Sequence, residues 1–131
     1  DEIASKENSR SAVKNELWKK ELMDFNVDVN GSIERFSGRE DRYVKYLKRF
    51  GEDTNFEDMK YAVEKGDVQA AFGACHTLKG LTGNLGFDGL TGTVCEVCEI
   101  LRAGSLEGVK EKIETVNDNY FNIINVIKTL L

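Results

Sequence analysis

Residues 74–86 read Ala74-Cys75-His76-Thr77-Leu78-Lys79-Gly80-Leu81-Thr82-Gly83-Asn84-Leu85-Gly86. Leu78, Leu81 and Leu85, with Ala71 and Ala74 before them, recur at steps of three and four, the spacing of a helix that buries one face. His76, the one histidine of the chain, falls off that stripe. Each helical residue advances by about 100°, which brings Phe72, Gly73, Lys79, Gly80 and Gly83 within about 60° of His76. A glycine inside a helix costs about 1 kcal/mol relative to alanine, so three of them on one face are hard to explain as helix formers. They make sense if something bulky must come close to the imidazole.

Toward the C-terminus, Gly86 breaks this helix and Asp88 is placed to cap the next, which presents Leu90, Val94, Val97 and Leu101 and stops at Ala103-Gly104. Ser105 then caps the longest segment. Its Leu106, Val109, Ile113, Val116, Tyr120, Ile123, Ile127 and Leu130 alternate steps of three and four, as in a bundle or coiled-coil seam. Toward the N-terminus, Asp67 caps the His76 helix directly after Lys65-Gly66. That helix therefore folds back on the one before it, which Thr54 or Asn55 caps and which carries Phe56, Met59, Ala62 and Val63.

Further upstream, a helix from Arg39 to Phe50 turns Tyr43, Tyr46, Leu47 and Phe50 inward and ends at Gly51. Asn26 to Ser32 reads as a loop before a short helical turn at Ile33 and Phe36 that Gly38 interrupts. A first helix from Val13 leans Val13, Leu17, Trp18, Leu22 and Phe25 to one side. Residues 1–12 are a polar N-terminal segment or linker, and 13–131 form one helical-bundle domain. With no strand-period segment and no proline to kink a helix, the chain is all-α. The expected architecture is an antiparallel up-and-down four-helix bundle with additional N-terminal helices, the bundle spanning Thr54 to Leu131 with the 39–50 helix packed on it.

A chain of 131 residues can bury a core without disulfides or metal. Its net charge of −5 argues against a nucleic-acid partner, which needs clustered cationic side chains. Arg42, Lys45, Lys48 and Arg49 form a local basic stripe, read as a solvated face or as a docking surface for an acidic partner. No apolar run is long enough to span a bilayer, so no membrane insertion of this domain is expected. The setting is expected to be cytoplasmic, which includes being part of a membrane-anchored sensor kinase. Cys75, Cys95 and Cys98 are an odd number and fit free thiols in a reducing compartment. Cys95-x-x-Cys98 invites a zinc or redox reading but lacks a second such pair. It sits mid-helix beside Val94, Val97 and Ile100, where thiols pack as small apolar groups, and no metal site is assigned.

His76-Thr77-Leu78-Lys79-Gly80, followed by Asn84-Leu85-Gly86, resembles the signature of histidine-containing phosphotransfer (HPt) domains, the relay modules of multistep two-component signalling. Arg35-Phe36-Ser37-Gly38 followed by Tyr43 to Phe50 is similar to that family's entry helices, and Arg102-Ala103-Gly104 sits where its last hairpin turns. The resemblance covers about residues 28–131 and suggests a piece of a hybrid sensor histidine kinase. It implies that His76 accepts a phosphoryl group on Nε2 from the aspartyl-phosphate of one receiver domain and passes it to the aspartate of another. The partners implied are receiver domains of response regulators or of a hybrid histidine kinase, and the domain is expected to be a monomer. No cofactor is expected on this domain, because Mg²⁺ comes with the partner receiver domain. The family often places a polar or acidic side chain on the following helix to orient the imidazole; here that helix offers Cys98, with Glu96 and Glu99 beside it.

The residues support the same chemistry on physical grounds. A neutral imidazole nitrogen is a good nucleophile toward phosphorus, and the phosphoramidate it forms is reactive enough to pass the group on. Lys79, one turn along, can offset phosphoryl charge, and Gly80 and Gly83 leave room for in-line approach. Asn84 lies at the same end of the helix and is suited to organising the turn at Gly86. The dimerisation domain of sensor kinases also carries a phosphorylated histidine, but there an acidic residue and a proline typically follow it; here Thr77 follows, and no Gly-rich phosphate loop for ATP is present. The alternative from another class is a non-catalytic helical interaction or dimerisation module that uses the Leu106–Leu130 seam.

Overall fold

The structure, a computed structural model, describes residues 16–131. The proposed segment 1–12 and the start of the first helix at Val13 lie outside the described residues. Helix α1 occupies 16–24, followed by α2 (Val29–Arg35), α3 (Glu40–Gly51), α4 (Asn55–Lys65), α5 (Val68–Asn84), α6 (Asp88–Arg102) and α7 (Val109–Leu130). Helices α4, α5, α6 and α7 each pack on the next, and α7 closes the ring against α4 and α3. Short turns make each consecutive pair antiparallel, so the all-α four-helix bundle read from the sequence is the one observed.

The α4–α5 turn shows how closely local chemistry dictates the fold. Gly66 takes the left-handed conformation (φ 72°) that ends α4, and Asp67 at once accepts a hydrogen bond from the Ala70 amide at 3.0 Å to start α5. Two residues therefore reverse the chain. The core along the bundle is built from Phe56, Met59, Ala71, Leu78, Leu90, Val97, Leu101, Ile123 and their neighbours. The α7 seam from Val109 to Ile127 is buried within this core, against its own chain.

Several local expectations are corrected. Asn26–Ser32 is not a loop throughout: α2 starts at Val29, capped by Asp28, whose carboxylate accepts from the Gly31 amide at 3.0 Å. Ser32 is instead fully buried and donates to the Asp28 carbonyl at 2.7 Å. Tyr46 is not inward but 40% exposed, packed on Phe36 at the edge of the Tyr43, Leu47 and Phe50 stripe. Leu17 is likewise exposed, while Trp18 and Leu22 fill the core.

In α5 the fully buried line is Ala71, Cys75, Leu78 and Thr82, with Ala74 and Leu81 at its margin. Asp88 lies inside the first turn of α6, because the buried Phe87 takes the capping position after Gly86 turns left-handed. Ser105 does not cap α7: its Oγ accepts from the Glu107 amide at 3.0 Å in a local turn, and the helix begins after a left-handed Gly108. Leu106 thus belongs to the connection and packs on the core from there.

A clasp fixes the far end of α5. Val27 and Phe87 form an antiparallel bridge, the Asp28 amide donates to the Gly86 carbonyl at 2.8 Å, and the Gly89 amide donates to the Asn26 carbonyl at 3.2 Å. Gly86 has φ 77°, and a Cβ there would meet Ser32 Oγ and stand 2.7 Å from the Asp28 carbonyl. Only glycine fits between the two segments.

Candidate functional site

His76 lies at the middle of α5, exposed, with fully buried Cys75 and Leu78 behind it. A helix pinned by its core face at both sides of one residue gives that residue a fixed backbone. Gly73, Gly80, Gly83 and Asn84 are exposed on the same side, while Phe72 and Lys79 are half-buried. The structure thus places every one of these sequence-selected residues along one surface of α5. Asn84 contributes its carbonyl to Arg35 Nη2 at 3.5 Å, at the clasp end of the helix.

The glycines on this surface have no internal reason to be glycine. A Cβ added at Gly73 or Gly80 would meet nothing within 4 Å, and one at Gly83 would only touch the Thr91 methyl at 3.9 Å. All three have ordinary helical backbones, since none is among the positive-φ glycines. Gly86, by contrast, is required by its turn. Nothing in the chain's own packing therefore calls for glycine at Gly73, Gly80 or Gly83.

Around the imidazole the arrangement differs from the one sought in the sequence. Cys98 is fully buried and sits against Cys75, whose Sγ donates to the Val94 carbonyl at 3.4 Å. Burial first, and then the neighbouring Cys98, push the Cys75 thiol up to about 12, so it stays protonated and unreactive at neutral pH. Glu96 pairs with Lys112 at 2.7 Å, and Glu99 lies 3.6 Å from Arg102. Cys98 is thus held in the core, while Glu96 and Glu99 each stand in an exposed ion pair. What meets the imidazole is the Phe72 ring, stacked with centroids 5.8 Å apart and planes inclined by 29°. Arg102, from the last turn of α6, holds its guanidinium 5.5 Å from the centre of the Phe72 ring.

Arg102 was legible in the sequence only as part of a turn; its place beside Phe72 follows from the antiparallel pairing, which sets the end of α6 against the start of α5. Among the described residues no group of three or more His, Cys, Asp or Glu side chains is placed to hold a metal ion. The basic stripe of α3 is diluted: Lys45, Lys48 and Arg49 line a shallow groove together with Asp41, Val44 and Glu52. A second groove joins α3 to the end of α5 through Tyr46, Arg49, Phe50, Leu81 and Asn84. No described helix is long and apolar enough to cross a membrane.

Among known families, the model of the Hpt domain matches residues 51–129, from the last residue of α3 through nearly all of α7. Comparison with curated proteins and with solved structures gives no match.

Proposed function

Because the chain belongs to the Hpt domain family, the histidine phosphotransfer modules that exchange phosphoryl groups with receiver domains, we propose that His76 is the phosphoacceptor of a phosphorelay. An unprotonated ring nitrogen of His76, Nε2 by the family's convention, attacks the phosphorus of a receiver aspartyl-phosphate. The N–P bond forms as the P–O bond to the aspartate carboxylate breaks, and the carboxylate leaves as an anion. The reverse step, onto the aspartate of a second receiver, returns the imidazole. No base has to remove a proton before attack, because the lone pair is already free. Lys79, one turn away, balances the charge gathered on the phosphoryl oxygens. Mg²⁺ would be held by the receiver, whose carboxylates are part of its own phosphorylation site.

The observation that carries this reading is the glycine strip. Gly73 and Gly80 flank His76 with open space where side chains would stand, at a cost in helix stability that the fold itself does not explain. A receiver must bring its own acidic pocket over the imidazole to within bonding distance of phosphorus, and side chains on this strip would stand in the way. The hybrid-kinase origin suggested by the resemblance would place one such receiver in the same parent chain.

The test is transfer of label from a receiver domain charged at its aspartate with radiolabelled acetyl phosphate. Label should move to this protein and be lost in acid while surviving alkali, as a phosphoramidate is. His76→Gln should take none. A variant labelled as well as the wild type would end the assignment.

A further inference from the structure

We propose that Phe72 is a positioning residue for the His76 imidazole and that Arg102 secures Phe72 in that role. The inference rests on His76 being the phosphoacceptor. In-line attack needs the nitrogen lone pair, which lies in the ring plane, aimed at phosphorus. An exposed histidine on a helix has no fixed ring plane of its own, since the torsion that turns the imidazole is soft.

A hydrogen bond to the second nitrogen is one way to fix it. Cys98, Glu96 and Glu99, the α6 side chains the resemblance singled out, are respectively buried against Cys75, paired with Lys112 and beside Arg102. Stacking on Phe72 is another way. Helical side chains lean toward the N-terminus, so His76 lies back over the residue one turn earlier. With planes 29° apart and centroids 5.8 Å apart, the stacked contact favours this setting of the imidazole over the others its soft torsion allows. Both nitrogens sit on the rim of the imidazole, so the stack restrains the plane without covering either.

Phe72 has its own support. It is half-buried and packed on the core, and the Arg102 guanidinium lies 5.5 Å from its centre. Arg102 is in turn 3.6 Å from Glu99. The imidazole of α5 is thereby tied to the end of α6 through an aromatic ring rather than through a polar network.

Phe72→Leu fills similar space but removes the stack, and Phe72→Tyr keeps it. As the chain has one histidine, its imidazole proton signals are unambiguous in an NMR spectrum. Those of the wild type should be displaced by the ring current of Phe72 and should move toward free-histidine positions in Phe72→Leu, and partly so in Arg102→Gln. At saturating concentrations of a receiver charged with acetyl phosphate, Phe72→Leu should transfer about two- to tenfold more slowly, the range expected from losing one aromatic pair. Phe72→Tyr should restore the rate.

Imidazole signals that do not move in Phe72→Leu would overturn the stack. A folded Phe72→Leu protein that transfers at the wild-type saturating rate, or that loses only receiver affinity, would overturn the positioning role while leaving His76 as acceptor. A wild type that takes no label would instead remove the phosphoacceptor reading, and the positioning role with it.

Discussion

The Tyr43 hydroxyl donates a hydrogen bond to the Leu85 carbonyl at 2.8 Å, joining α3 to the end of the helix that carries His76. The last carbonyls of a helix have no partner within it, and Leu85 is the residue that terminates α5. Tyr43 is fully buried, so the bond is made away from water. Tyr43→Phe should destabilise the protein by about 1–3 kcal/mol, the cost of leaving one buried acceptor unpaired, as read from urea unfolding followed by circular dichroism. An unchanged midpoint would mean that water replaces the hydroxyl without loss.

Buried tyrosines also set an alkaline limit. Burial raises Tyr43 above its ordinary 10.0 and raises Tyr120 to about 12, with Glu57 and Asp53 adding to the second shift. Below the unfolded value both states keep these protons, and stability is unaffected. Above it the unfolded chain ionises while the folded chain does not, so stability falls with rising pH until the folded groups ionise in turn. Cys75, raised from 9.0 to about 12, extends the decline to slightly lower pH. Urea midpoints should therefore drop between about pH 9 and pH 12, and the Tyr43→Phe, Tyr120→Phe double variant should show a shallower slope than the wild type.

Gly80 should separate stability from transfer. A methyl group there meets nothing within 4 Å. Gly80→Ala should raise stability by about 0.5–1 kcal/mol, the ordinary helix-propensity gain. Gly80→Leu should keep the helix content but slow label transfer from the charged receiver, because the larger side chain stands where the receiver must seat. Equal rates for all three proteins would show that approach along this strip is not limiting.

Lys79 is half-buried rather than fully exposed, with its backbone carbonyl accepting from Thr82 Oγ1 at 3.3 Å. That bond survives any side-chain change, so Lys79→Ala should remain folded. Transfer to His76 should slow by about tenfold, and the defect should shrink in the wild-type comparison at high salt, where a partly solvated charge is screened. A defect that is independent of salt would point to lost packing in place of lost charge.

The bundle was legible because its signals are local: Lys65-Gly66-Asp67 specifies a reversal by itself, and the apolar residues of α6 and α7 repeat without interruption. The exposed strip of α5 was legible for the same reason, since periodicity alone puts Gly73, Lys79 and Gly80 around His76. What the sequence withheld was long-range. Tyr46 has the right residue type for a core but stands at the margin of the stripe, and only packing against Phe36 decides its exposure. The capping positions before α6 and α7 went to Phe87 and Gly108 because left-handed glycines and a buried ring overrode the side-chain preferences of Asp88 and Ser105. Arg102 reaches Phe72 across two helices, which no spacing along one helix could reveal.

The clasp has a consequence in time. Val27 and Phe87 meet across sixty positions of chain (87 minus 27), whereas the hairpins of α4 to α7 pair neighbours in sequence. Closing a long loop costs more chain entropy than closing a short one, so nearest-neighbour hairpins form first. The Asp28 and Gly89 amides, which donate into the clasp, should gain protection in pulse-labelled hydrogen exchange after the amides in the middle of α5. The helix that presents His76 would then be assembled early, and its C-terminal end locked last.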